Sequence, residues 1–222
     1  MSRLDDVLAW CERGVTAESV GLFADADIAY RNAWNAALEP YERCLAAYHL
    51  ARVQPTPGQQ LDWNRIALDH ASTADPKAVA EMLPSLQLAA ASAARAAGDV
   101  SAARRSYIAA AQAHSQESDS TSGPMTAAIV DGLVATEDPS PVGQTLREIG
   151  RARRYGALSA LLPGYVEWVV DKTPDDLISI VNHLERDAVI DSNESRRIIA
   201  GVRNAEIALG RTESGPDVAF KM

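Results

Sequence analysis

The side chains in this sequence that could do chemistry are few: four histidines, two cysteines, two aspartate pairs and one arginine cluster. A di-iron carboxylate site needs Glu three residues before His, so that both project from one helical face. The residues three before His49, His70, His114 and His183 are Ala46, Ala67, Ala111 and Ile180. No two histidines stand four apart, the spacing that holds zinc on a protease helix. Magnesium gathered around a diphosphate calls for Asp-Asp-x-x-Asp, yet Ala9 follows Asp5-Asp6 at the third place and Ser179 follows Asp175-Asp176. Both pairs suit helix N-termini instead, where negative charge gains about 0.3–1 kcal/mol. No phosphate-cradling glycine loop, Gly-x-Ser-x-Gly elbow or Cys-x-x-Cys occurs. The sequence therefore predicts no catalytic residue, no metal ligands and no cofactor.

Two features remain. Arg147, Arg151 and Arg154, at spacings of four and three, would share a helical face able to clamp an anion or a phosphate backbone. The alternative is a solvated face paired with Glu148 and neighbouring acids. Cys11 and Cys44 sit among helical residues and are expected to be small buried hydrophobes. Two cysteines make no disulfide framework, and a reducing cytoplasm fits.

The elements that would position these residues are helices. The chain has 222 residues, enough for one large domain or two small ones, with 47% hydrophobic and 23% charged residues. Alanine, the best helix former, is abundant throughout and aromatics are only 5%. The net charge of −9 argues against a general nucleic-acid binder, which needs basic surface to displace counterions. Positive charge is nearly all arginine, with lysine only at 77, 172 and 221, a usage expected of a GC-rich bacterial gene. The opening Met1-Ser2-Arg3-Leu4-Asp5-Asp6 does not read as a signal peptide, and no apolar run approaches the roughly 20 residues of a membrane span. A cytoplasmic protein is expected.

Internal repetition is the strongest pattern. Trp10, Gly14, Gly21, Phe23, Ala26, Tyr30 and Ala33 are spaced as two helices joined by a glycine turn, with small–large–small residues on one face of the second. Gly98 with Ala103, Tyr107 and Ala110 repeats that spacing, and the Gly21-to-Tyr30 and Gly98-to-Tyr107 intervals are identical. Between them Ala47 and Ala51 mark a first helix, Gln54–Gly58 an extended turn, and Gln60 to Ala71 a second helix. Residues 114–124 form the one apolar-free segment, predicted as a flexible loop or joint. Helices are then expected over about 125–136, 142–154, 156–171, 175–188 and 192–209, with Gly210 as a C-cap and a frayed tail over 212–222.

Residues 4–113 resemble the tetratricopeptide-repeat proteins, on the Trp10–Ala33 and Gly98–Ala110 positions above; Trp63 departs from the pattern, standing where the family has a small residue. The resemblance implies an all-α fold of about ten helices, with antiparallel pairs stacked into a superhelix. It would comprise repeats over 1–113 and C-terminal helices over 125–211 that continue or cap the stack. It also implies an inner groove for a peptide or partner helix. The family's groove positions fall on Leu8, Cys11 and Val15, then Leu45, Tyr48 and Arg52, then Leu88, Ser92 and Arg95. Members that clamp a C-terminal carboxylate carry Lys and Asn where this chain has Cys11 and Val15.

The function expected is a non-catalytic adaptor, scaffold or sensor that holds a protein or peptide with an apolar stripe and an acidic group. The C-terminal helices filling that groove is the competing possibility. Other readings are a homo-oligomer pairing through Leu158, Leu161, Leu162 and Val166, an accessory enzyme subunit, or RNA binding through the Arg147–Arg154 face.

Overall fold

The computed structural model describes residues 3–115, 123–136, 140–171 and 173–209, and these residues form an all-α fold with no strand among them. The order is α1 (Arg3–Ser19), α2 (Phe23–Ala36), α3 (Pro40–Arg52), α4 (Pro57–Thr73), the one-turn α5 (Pro76–Val79) and a 3-10 turn (Ala80–Met82). Then come α6 (Leu83–Ala96), α7 (Val100–Ser115), α8 (Gly123–Thr136), α9 (Pro141–Arg151), α10 (Tyr155–Asp171), α11 (Asp175–Arg186) and α12 (Ser192–Ala208). Among the described residues that is eleven full helices plus the four-residue α5. None of them is long and apolar enough to cross a membrane.

Local chemistry fixes most boundaries. Thr56 accepts the Gln59 N–H and Ser140 accepts the Gly143 N–H, each followed by Pro at the first helical position, which needs no donor. Asp191 and Glu194 form a reciprocal capping box at α12. Pro57 and Gly58, expected in an extended turn, belong to the first turn of α4. The polar segment is also shorter than the sequence reading had it: His114 and Ser115 complete α7, while Gly123 and Pro124 open α8. His114 is 2% exposed, with Nε2 3.0 Å from Thr126 Oγ1, so it is a core residue rather than part of a loop. Residues 116–122, Gly210 and the 212–222 tail lie outside the described residues.

Helices α1 and α2, α3 and α4, and α6 and α7 pack as hairpins, and α2 on α3, α4 on α6 and α7 on α8 join one to the next. The internal repeat is physical. Gly21 and Gly98 both adopt left-handed backbone, φ 80° and 83°. In each turn the residue after the glycine donates back across five positions, Leu22 to the Ala17 carbonyl and Asp99 to the Ala94 carbonyl. Tyr30 and Tyr107 are both buried, each between two buried alanines of its own helix. Trp63 fits because it meets Trp34 of α2 edge-on, ring centroids 5.2 Å apart.

After α8 the partners change. Helix α10 packs on α7 and α8 as well as on its chain neighbours, and α12 packs on α9. One core runs from Ala91, Ala94 and Tyr107 through Leu146 and Leu161 to Ile198 and Val202. Leu158, Leu161, Leu162 and Val166, expected at an exposed oligomer-forming end, are 0 to 6% exposed inside this core. They pack against the helices of their own chain instead.

Candidate partner-binding groove

On α1, Leu8, Cys11, Glu12, Val15 and Thr16 stand at intervals of three and four, one stripe down a helix. Helix α3 packs beside α1. Together they enclose an open cavity of about 460 Å³, lined by that stripe with Leu45 and His49 of α3. Leu8 and Val15 are 38% and 39% exposed at its rim, so apolar surface faces outward there.

The floor is uncharged at neutral pH. His49 is pulled down to about 4, by burial first and then by the nearby Arg52 charge. Its ring stacks on Tyr30 at 5.1 Å, and Nδ1 has no hydrogen-bond partner among the described residues. Burial pushes the Cys11 thiol up to about 12, and Cys44 up to about 11. Charge at this cavity is carried by the exposed Glu12.

Of the predicted groove residues, Leu8, Cys11, Val15 and Leu45 converge here. Arg52 and Ser92 line a second cavity of about 370 Å³ between α3, α4 and α6. The others do not join them. Tyr48 packs into the core around Cys44, Ala47 and Leu86, and Leu88 packs against the core shared with the C-terminal helices. Arg95 is exposed and lines neither cavity.

Arg52 is no free cation for a partner's acid. Its guanidinium donates to Glu18 Oε1 from Nη2 (2.9 Å) and Nε (3.2 Å), while Glu18 Oε2 accepts the Tyr30 hydroxyl at 2.9 Å. Burial and then that hydrogen bond raise the Tyr30 phenol above its ordinary range. Among the described residues the α1–α3 cavity is bounded by α1 and α3 alone, so helices α8 to α12 do not fill it.

The arginine face is kept in part: Arg147 and Arg151 line one cavity of about 200 Å³ with Asp131 and Leu146, while Arg154 stands apart. Arg147 is held by Asp131, through the carboxylate at 2.8 Å and the carbonyl at 3.1 Å. Arg154 lies beyond the end of α9 and binds Glu194 and the Val189 carbonyl. Glu148 pairs with Arg197 of α12 at 2.6 Å. Arg151 alone of the three is an exposed residue of α9 with neither contact. The cluster thus ties α9 to α8 and α12.

Sequence reasoning missed Glu12, Thr16, His49, Gln60 and Asn64 as lining residues. Glu12 and Thr16 could have been found, since each lies one turn from a predicted groove residue. No group of three or more His, Cys, Asp or Glu among the described residues is placed to hold a metal ion. No protein-family model, curated protein or solved structure matches this chain.

Proposed function

We propose that this chain is a non-catalytic binding module of tetratricopeptide-like helical hairpins, and that it holds a polypeptide segment against α1 and α3. The observation that carries the reading is the open cavity of about 460 Å³ with an uncharged floor and Leu8 and Val15 exposed at its rim. Such a site accepts one or two aliphatic or aromatic side chains, because burying them removes apolar area on both sides from water. The acidic group expected of the partner gives way to a basic one. Arg52 is engaged by Glu18, whereas Glu12 at the rim and a net charge of −9 favour an incoming Lys or Arg.

A random peptide library displayed on phage and selected against the full chain tests this. Binders are expected to carry an apolar residue next to a basic one. They should lose at least about tenfold in affinity for Val15→Arg, with helicity and thermal midpoint unchanged. Binders indifferent to both Val15→Arg and Leu8→Glu would refute the site, as would a selection that returns none.

A further inference from the structure

The cavity between α1 and α3 has a matching occupant in the chain itself, an inference that rests on the binding role just proposed. That role asks for a large apolar residue beside a base. Beyond Leu209, outside the described residues, the sequence includes Val218-Ala219-Phe220-Lys221-Met222. Phe220-Lys221 meets the requirement, and no other such pair stands outside the described residues. Elsewhere such pairs, Leu146-Arg147 among them, are already built into helices.

The spacing agrees. Leu8 and Val15 are seven residues apart on α1, about 10 Å along its axis. In a segment seated as extended chain, alternate side chains share one side, so Val218 and Phe220 would stand about 6.6 Å apart on one face. Both fit between the two rim residues, and the small Ala219 faces away. Glu12 lies between Leu8 and Val15 on the same stripe, at the same cavity. Lys221 follows Phe220 at once, on a four-carbon stem that carries its ammonium to that carboxylate. Over 210–222 the two bases, Arg211 and Lys221, offset the two acids, Glu213 and Asp217. This segment therefore adds nothing to the repulsion between copies of a chain with net charge −9.

Reach decides which copy supplies it. Helix α12 packs on α9 and α11, and from it the way to α3 runs through α9, α8, α6 and α4. At about 8–10 Å for each packed pair, that is about 40–50 Å along the array. From Leu209 to Val218 the chain spans about 30 Å even when fully extended. A copy's own cavity lies beyond that reach, whereas a neighbour's does not.

We infer that Val218–Lys221 of one copy seats in the α1–α3 cavity of another. Val218 and Phe220 enter between Leu8 and Val15, and Lys221 meets Glu12.

Sedimentation velocity of the full chain, scanned over roughly 1 μM to 1 mM, tests this. Wild type is expected to gain mass with concentration, because one short segment in one cavity makes a weak contact. Val15→Arg closes the seat and Phe220→Asp removes the occupant, so each variant alone should stay monomeric. Mixed in equal amounts they should form a heterodimer, since one keeps the segment and the other keeps the cavity. Lys221→Glu should weaken association at least about fivefold, and adding Glu12→Lys should restore most of it. Association that survives Phe220→Asp would overturn the inference, as would a mixture that stays monomeric. A wild type that is monomeric at every concentration would also overturn it. Phage binders that depend on Val15 would in that case leave the binding role standing without this occupant. Binders that gain affinity on Phe220→Asp would place the segment in its own copy's cavity instead. No association and no Val15-dependent binder would overturn both readings together.

Discussion

The ring of Tyr30 stands where a β-carbon on Gly14 would be: a methyl there would lie 2.1 Å from Cε1. Tyr107 has the same relation to Gly132, again at 2.1 Å to Cε1. The two glycines differ in position. Gly14 is on α1, the helix before Tyr30 in its own hairpin, whereas Gly132 is on α8, the helix after Tyr107. Each tyrosine thus needs one helix brought close, and glycine grants the approach.

Gly14→Ala and Gly132→Ala are therefore expected to destabilise the fold by about 1–3 kcal/mol each, since neither buried ring has room to retreat. Urea denaturation followed by circular dichroism measures this. A midpoint unchanged in both would mean that the rings are not locked against their neighbours.

The Glu18 carboxylate joins Tyr30 of α2 to Arg52 of α3. Glu18 and Arg52 side chains are 18% and 39% exposed, so solvent screens part of the attraction. A double-mutant cycle of Glu18→Gln and Arg52→Gln should give a coupling of about 0.5–1 kcal/mol. Arg52→Glu should destabilise more than Arg52→Gln, because it sets like charges together. Additive single effects would show the pair to be a surface contact only.

Two groups give the protein an acid-sensitive stability with distinct windows. Neutral His49 takes up a proton more readily unfolded, at an ordinary 6.5, than folded, at about 4. Its contribution is present above pH 6.5 and is lost as pH falls from 6.5 towards 4. Glu42 is 5% exposed; burial by itself would raise its pKa, but the Leu38 and Glu39 N–H groups and the Arg3 guanidinium together hold it below 4.5. Its contribution is lost only below pH 4.5. His49→Phe, which keeps a ring against Tyr30, should flatten the urea midpoint between pH 6.5 and 4.5 and leave the lower fall in place. Parallel profiles for the two proteins would assign the upper window to another group.

Both cysteines should resist alkylation in the folded protein. The Cys11 thiol at about 12 and the Cys44 thiol at about 11, against an ordinary 9.0, hold roughly a thousandfold and a hundredfold less thiolate than a free cysteine. Iodoacetamide at pH 8 should modify them only on the timescale of unfolding. Rapid native labelling of Cys11 would mean that the α1–α3 cavity opens to its floor.

The fold was legible where a residue type is demanded by its place. Only glycine is comfortable at the φ of 80° and 83° that turns α1 into α2 and α6 into α7, so Gly21 and Gly98 announce those hairpins. The same back-donation closes the turns after α9 and α11, from Arg154 to Ile149 and from Val189 to Leu184. There the left-handed positions are Arg153 and Ala188, both at φ 56°, and nothing in their identity signals a turn. The repeat therefore fades in the sequence sooner than this turn fades in the chain.

The groove was legible only as far as one helix governs it. Leu8, Cys11 and Val15 follow from helical spacing on α1. Whether Tyr48 and Leu88 face the groove or the core depends on how α3 and α6 are rotated against their neighbours, and both face the core. Arg52 was misread because its partner Glu18 is 34 residues away. Asn64 gave no signal, since a buried amide with one unpaired atom looks in sequence like any helical asparagine.

Trp34 packs against three separate groups of buried residues, those around Val7 and Cys11, around Tyr30 and Leu50, and around Cys44 and Ala67. The Trp63 ring meets it edge-on and Arg43 lies 4.4 Å over its face. An indole so placed acts as a hinge pin with a built-in lamp. Its emission would redden as soon as the first two hairpins part, before helix content falls, and so would report the loss of the wall that α3 gives the groove.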